Sequence, residues 1–456
     1  MSLQGKILMT NIRITITLIL LVLLFISMTV NSSNVKLLIL LLLVLSTALL
    51  SIKSPGIGAS ILVGCLPLSG VIRWSDHENI VSAGYLSILI AALSCAVFLR
   101  IIFVKGKVCT FSLNTYWLVF LPFFAILLAH IFLASGGFAA LFAMLRNYLI
   151  PFFSFFIFVE AIKSCKDMKK NLLVVLYITS LFVVVVNFIH YFYGLDIAIT
   201  RFVMISEEDP AIRGYGSVTF PRMNHILGLG PQGAGGVFYG IIALIGIYLM
   251  ASGSNMAKIF LAMSTFIFLV AIFFIGSVSG MVTLLIGAGI LTIIHNRRLI
   301  PVMAFPVIIC FTLGLFYIPV PLAGYSNIAS YAYIGFIANI VNDASDYSPA
   351  QFFLGNELGL TGGGVQSVTI GFFDRWVFGV FLQLGLIAFI SMSLWYAIVI
   401  FAAFKKTYSP KEKEFAVFAL LIFFGSLTYG HQSALMQPLF VPLLMLAVSL
   451  LYKKPI

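Results

Sequence analysis

Charge is what this chain has least of. Only 9% of its 456 residues are Asp, Glu, Lys or Arg, and 62% are hydrophobic. A soluble globular domain carries roughly a quarter charged residues, so that class is excluded. Cysteine is scarce too: Cys65, Cys95, Cys109, Cys165 and Cys310. None falls in a long loop, which excludes a disulfide-stapled scaffold. There is no CxxC or HExxH spacing, so the sequence offers no metal site. No internal repeat appears, which weighs against a transporter built from two related halves. The apolar runs themselves are nearly free of charge. Glu160 is the exception, and Lys163 is its expected partner. A transport path lined by charged spans has little here to build on.

What is present is a succession of apolar runs. A helix needs about 20 apolar residues to cross a bilayer. Fourteen runs qualify: 14–31, 35–52, 56–72, 83–100, 113–134, 145–162, 171–193, 234–252, 257–275, 279–296, 300–319, 376–404, 414–430 and 435–452. The third holds Pro55, Gly56, Gly58, Gly64, Pro67 and Gly70 and reads as the weakest, with the marks of a broken helix. The first, behind Lys6 and Arg13, has the outline of a signal peptide but no cleavage site, and is read as a span. The fold class expected is an all-α polytopic membrane protein, one integral membrane domain over 1–456.

The net charge is +12, from 26 basic and 14 acidic residues. The lysines are scattered through short loops between apolar runs. That is topogenic charge, not a nucleic-acid patch, so no nucleic-acid partner is expected. With the amino terminus inside, Lys53, Arg100, Lys105, Lys107, the cluster 163–170, Lys258, Arg297, Arg298, the cluster 405–413, Lys453 and Lys454 all face the cytoplasm. Both termini are then cytoplasmic. Seven basic residues remain outside: Lys36, Arg73, Arg146, Arg201, Arg213, Arg222 and Arg375. Positive-inside topology does not explain why six of these seven are Arg. Arg grips carboxylate and phosphate through a planar fork, whereas Lys is a point charge. An outward site for an anionic, phosphate-bearing substrate is the expectation.

Two long loops face outward, 194–233 and 321–375, and long charged loops often carry function. The first contains Arg213, Arg222, His225 and a glycine run, Gly228, Gly230, Gly233, Gly235 and Gly236, leading into a span. Glycines allow close backbone approach to a ligand, and a helix amino terminus favours an anion. The alternative is a packing surface of small residues. His225 is a candidate general base or sugar-hydroxyl partner, and equally a loop histidine with a structural hydrogen bond. In the second loop, 328–341 has the spacing of an interfacial amphipathic helix, closed by Asp343, Asp346 and Pro349. Gly355, Gly359 and 362–364 add a second glycine-rich stretch, with Glu357 inside it. Asp374 and Arg375 stand at the mouth of the next span.

Three features together resemble the bacterial O-antigen polymerase/ligase family. They are the polytopic helices with two large outer loops; Arg222 followed after ten residues by Gly233, similar to the family's Arg-to-Gly motif; and Phe353-Leu-Gly-Asn-Glu-Leu-Gly359 followed by the stretch from Asp374 to Gly385. Two departures stand out. Ligases of the family carry His-Asn where this chain has Asp374-Arg375, which favours polymerase over ligase. Residue 391 is Ser where a second Arg-to-Gly spacing would need Gly.

The resemblance implies a metal-independent, cofactor-free glycosyltransferase with a C-type membrane fold in the bacterial cytoplasmic (inner) membrane. Its expected partners are an undecaprenyl-pyrophosphate-linked oligosaccharide and membrane lipid, with a chain-length regulator as a further candidate. The activity implied is polymerisation of O-antigen or capsule repeat units; a ligase to lipid A-core and a flippase of lipid-linked oligosaccharide are the alternatives. Arg222, Asp374, Glu357 and His225 are the candidate catalytic residues. Arg213, Arg375, Gly230, Gly233 and Gly235 are the candidate substrate-binding residues. Fixed Arg residues would stabilise charge growing on the departing pyrophosphate. A carboxylate or His would deprotonate the acceptor hydroxyl.

Overall fold

The structure is a computed structural model that describes residues 19–24, 33–68, 80–103, 115–133, 141, 145–164, 167–193, 214–215, 218–219, 232–252, 255–275, 278–295, 348–355, 378–403, 415–422 and 440–451. The described residues are nearly all helical. The labelled helices are α1 (Ser33–Lys53), α2 (Pro55–Cys65), α3 (Ile80–Phe103), α4 (Thr115–Leu133), α5 (Ser154–Ser164), α6 (Met168–Tyr193), α7 (Gln232–Ser252), α8 (Asn255–Ile275), α9 (Val278–His295), α10 (Pro349–Leu354), α11 (Phe378–Ala403) and α12 (Phe440–Leu450). A two-stranded antiparallel hairpin, β1 (Gly214–Tyr215) with β2 (Val218–Thr219), lies in the first long loop.

Four described helices have segments long and apolar enough to cross a membrane: Asn34–Lys53, Tyr85–Phe103, Met168–Ile189 and Gln383–Ala403. The chain is a helical membrane protein. α1 shows why. Leu38, Leu42, Leu45 and Leu49 are exposed on one face, while Leu40, Leu43, Val44 and Thr47 are buried on the other. Both faces are apolar, which is the pattern of a helix with lipid on one side and protein on the other. Water-driven burial does not operate between helices in lipid, so close packing and interhelical hydrogen bonds hold them. Tyr177 on α6 shares its hydroxyl with Ser264 (2.6 Å) and Thr265 (3.2 Å) on α8. Asn187 Nδ2 on α6 donates to Tyr239 Oη on α7 at 2.7 Å.

Three expected spans are broken. The third is the 11-residue α2, with Pro at its first turn and every residue buried. Eleven residues reach about 16 Å, half a bilayer core. It is enclosed by α1, α3, α5 and α6. Run 145–162 is not one helix either. A π turn (Leu145–Leu149) and a 3-10 turn (Ile150–Phe153) precede α5, because Pro151 has no N–H to extend the ladder. Ser154 Oγ donates to the Pro151 carbonyl at 2.6 Å and starts the regular helix. Run 376–404 breaks at Gly385 (φ 76, ψ 179). Runs 14–31 and 414–430 are described only at 19–24 and 415–422, both helical. Run 300–319 and the expected interfacial helix 328–341 lie outside the described residues.

A buried ion pair closes the end of the bundle where α1 stops. Arg100 Nε is 3.4 Å from Glu160 Oε1, and Arg100 Nη1 donates to the carbonyls of Ile52 (2.7 Å) and Lys53 (3.1 Å). Ser164 Oγ donates to Glu160 Oε1 at 3.2 Å. The expected partner of Glu160, Lys163, is therefore joined or replaced by a residue sixty positions away. An Arg fork can serve a carboxylate and the end of α1 together, which a single ammonium does poorly. Lys169 Nζ likewise donates to the Leu450 carbonyl at 2.6 Å, placing a cation at the carboxyl end of α12.

Candidate functional site

The site grows from α10, a six-residue helix in the second long loop. Ser348 is its N-cap. Ser348 Oγ accepts from Gln351 N (3.3 Å), and Gln351 Oε1 accepts from Ser348 N (2.9 Å), a complete capping box. Pro349 occupies the first helical position, where a missing N–H costs nothing. Pro349 thus opens α10; the helix 328–341 that it was expected to close lies outside the described residues. The helix stops at Gly355 (φ 89, ψ 171), whose N–H donates to Gln351 O at 2.8 Å.

Gly355 is seated in the break of α11. A Cβ on Gly355 would meet the Gln383 carbonyl oxygen and lie 2.6 Å from Leu384 Cα. A Cβ on Gly385 would meet Gly355 N and Phe353 O and lie 2.5 Å from the Phe353 carbonyl carbon. Both glycines have positive φ with ψ near 180°, a region that only glycine occupies without strain. Backbone thus lies against backbone at this junction, with no side chain between. Phe352 packs edge-on to Phe381 of α11 at 5.5 Å. From α4, His130 Nε2 lies 2.6 Å from the Leu354 carbonyl. A carbonyl only accepts, so Nε2 carries the proton in this contact.

α4 and α11 are themselves stitched together. Ser391 Oγ donates to Val119 O (2.6 Å) and accepts from Phe123 N (3.3 Å). In an unbroken helix Phe123 N would bond Val119 O directly. Pro122 lies within this turn, directly before Phe123, and the serine hydroxyl bridges the two groups. Phe120 stacks near Trp395 at 4.6 Å beside it. Ser391, noted in the sequence only as a missing glycine, is a bridge.

The two stretches of the second motif, 353–359 and 374–385, meet at Gly355 and Gly385. Glu357 lies two residues beyond Gly355, and Asp374 and Arg375 shortly before Phe378. These three, with Arg213, Arg222, His225 and Gly230, lie outside the described residues. Gly233 falls in the first turn of α7, and Gly235 is buried one turn in. Their neighbour Gly236 packs against Gly280 of α9, where a Cβ on Gly280 would lie 2.6 Å from Gly236 O. At Gly236 the small-residue packing reading holds. The hairpin β1–β2 stands between Arg213 and Arg222 in sequence, with Arg213 directly before β1. His130 sits in no sequence motif, and nothing along the chain connects Gly355 to Gly385. The S-x-x-Q capping box at Ser348 was the one local signal for α10.

Comparison with protein-family models, with curated proteins and with solved structures found no match to this chain.

Proposed function

We propose that this protein is a polysaccharide polymerase of the O-antigen or capsule type. It transfers a glycan from undecaprenyl pyrophosphate to a lipid-linked repeat unit at the outer face of the bacterial cytoplasmic membrane. The reading includes a C-type architecture of about fourteen membrane segments, α2 among them as a broken one, with both termini inside. The observation that carries it is the Gly355–Gly385 junction, because it joins two of the sequence stretches that contribute to the family resemblance. A fixed junction at the mouth of a span suits chemistry on a substrate whose lipid tail stays in the bilayer.

In this proposal Arg222 holds the donor pyrophosphate and stabilises its growing charge, with Arg213 or Arg375 assisting. Asp374, Glu357 or His225 takes the acceptor proton. The glycosidic oxygen leaves with the pyrophosphate, and the acceptor oxygen forms the new bond. Arg222→Ala is expected to abolish polymer while the protein still inserts in the membrane, and Arg222→Lys to restore little. The measurement is the glycan ladder on gels from cells expressing each variant at equal levels. Full-length ladders from Arg222→Ala would overturn the assignment. A deletion strain that accumulates polymer on its carrier lipid above bare lipid A-core would point to the ligase instead.

A further inference from the structure

A six-residue helix does not persist in water by itself, so α10 depends on what holds it. Its amino end is closed locally by the capping box. Among the described residues its carboxyl end is tied to other elements by the seat of Gly355 on Gly385, the Phe352–Phe381 ring contact, and the hydrogen bond from His130 to Leu354 O. The first two reach only α11. His130 alone among these ties reaches α4. The α4–α11 pair is fixed by the Ser391 bridge, seven residues or about 10 Å along α4 from His130. The three elements therefore close a triangle. α10 cannot leave its seat without breaking the His130 bond or parting α4 from α11.

We infer that His130 is a positioning residue that holds the carboxyl end of α10 on α4 and keeps Gly355 seated in the break of α11. It acts through a carbonyl that would otherwise be one of the unpaired acceptors at a helix end. Its reach extends to the chain just beyond. Glu357 follows Gly355 by two residues, which allows a displacement of about 7 Å from the seat. The consequence for glycan transfer rests on the polymerase reading; the positional role does not.

The test compares His130→Ala, His130→Gln and His130→Phe in the full-length protein in detergent micelles. Gln places an N–H donor near the position of Nε2; Phe keeps the ring footprint and has no donor. Hydrogen exchange at the 351–355 amides is expected to speed up about five- to tenfold in the Ala and Phe variants and to return close to the parent rate in Gln. Melting temperatures should stay nearly equal across the folded variants. Should Ala fail to fold, Phe carries the comparison. Parent-like exchange in the Phe variant, or a Gln variant no better protected than Phe, would overturn the inference. Glycan ladders run on the same variants separate the two claims. Faster exchange with unchanged ladders supports the positional role and counts against a polymerase site at this junction.

Discussion

Substituting Gly385 tests the junction most directly. An alanine there must hold φ near 76° with ψ near 179°, a conformation that costs a non-glycine residue about 1–3 kcal/mol. Its Cβ must also share space with Gly355 N and Phe353 O and lie 2.5 Å from the Phe353 carbonyl carbon. These are backbone atoms, so no rotamer change relieves the contact; α10 has to lift away or the break in α11 has to close. The conformational term alone shifts the seated population by about 5- to 150-fold. Hydrogen exchange at 351–355 in Gly385→Ala should rise by at least the lower figure. Gly289→Ala is the matched control, since nothing lies within 4 Å of a Cβ at that position of α9. There the same change should be neutral or stabilise by up to about 1 kcal/mol. Gly355→Ala attacks the same contact from the other side. Once either glycine has been replaced the seat is lost, so the double substitution should add little to the worse single one. Equal exchange in Gly385→Ala and Gly289→Ala, or simple additivity of the two junction substitutions, would refute the backbone-to-backbone seat.

Two further substitutions probe how the bundle is held. Arg100→Ala takes the guanidinium from the buried Glu160 carboxylate, leaving it the Ser164 hydroxyl, and uncaps α1; it should cost roughly 3 kcal/mol in reversible unfolding from mixed micelles. Arg100→Lys should recover less than half of that loss, because one ammonium cannot reach the carboxylate and two carbonyls together; full recovery would show that charge alone matters. Ser391→Ala should cost about 1–2 kcal/mol and speed exchange at the Phe123 amide. Ser391→Gly should lose as much, and an unchanged Phe123 amide in either variant would mean that the α4 ladder closes without the hydroxyl.

Helices were the legible part of this fold. Lipid and protein both demand apolar side chains, so the runs stand out in composition, and most helix ends fall within a few residues of the hydropathy edges. Breaks were legible only where proline marks them. Pro67 follows the end of α2 and Pro151 lies in the turns before α5, and the weak third span was readable from its prolines and glycines. Gly385 was not readable, because Phe378–Ala403 is continuously apolar and one glycine in such a helix is common. Its break depends on a partner thirty residues earlier. Glu160 shows the same limit in electrostatics. Proximity in sequence suggested Lys163 and could not show Arg100, whose fork with three acceptors in reach is a property of the packed ends of α1, α3 and α5.

The glycines change meaning most. Read along the chain, both loop glycine runs suggest freedom of the backbone near a ligand. In the structure Gly236 is a helix-packing contact, and Gly355 and Gly385 form a fixed seat. Neither use requires a ligand. Glycine content in these loops therefore argues for rigid placement at least as strongly as for access, and it cannot itself locate the anion. The fork chemistry of Arg222 is independent of that ambiguity. It does not depend on backbone freedom, and it separates from Lys by an experiment rather than by position. A rigid seat also favours a site whose geometry is set before substrate arrives, since oriented donors stabilise developing charge only when they need not reorganise. On the proposed polymerase reading, the decisive variants pair one substitution at the seat with Arg222→Lys. If the two perturb a common step, their combined loss will fall short of the product of the separate losses; independent, multiplying losses would place Arg222 and the junction in different parts of the protein's work.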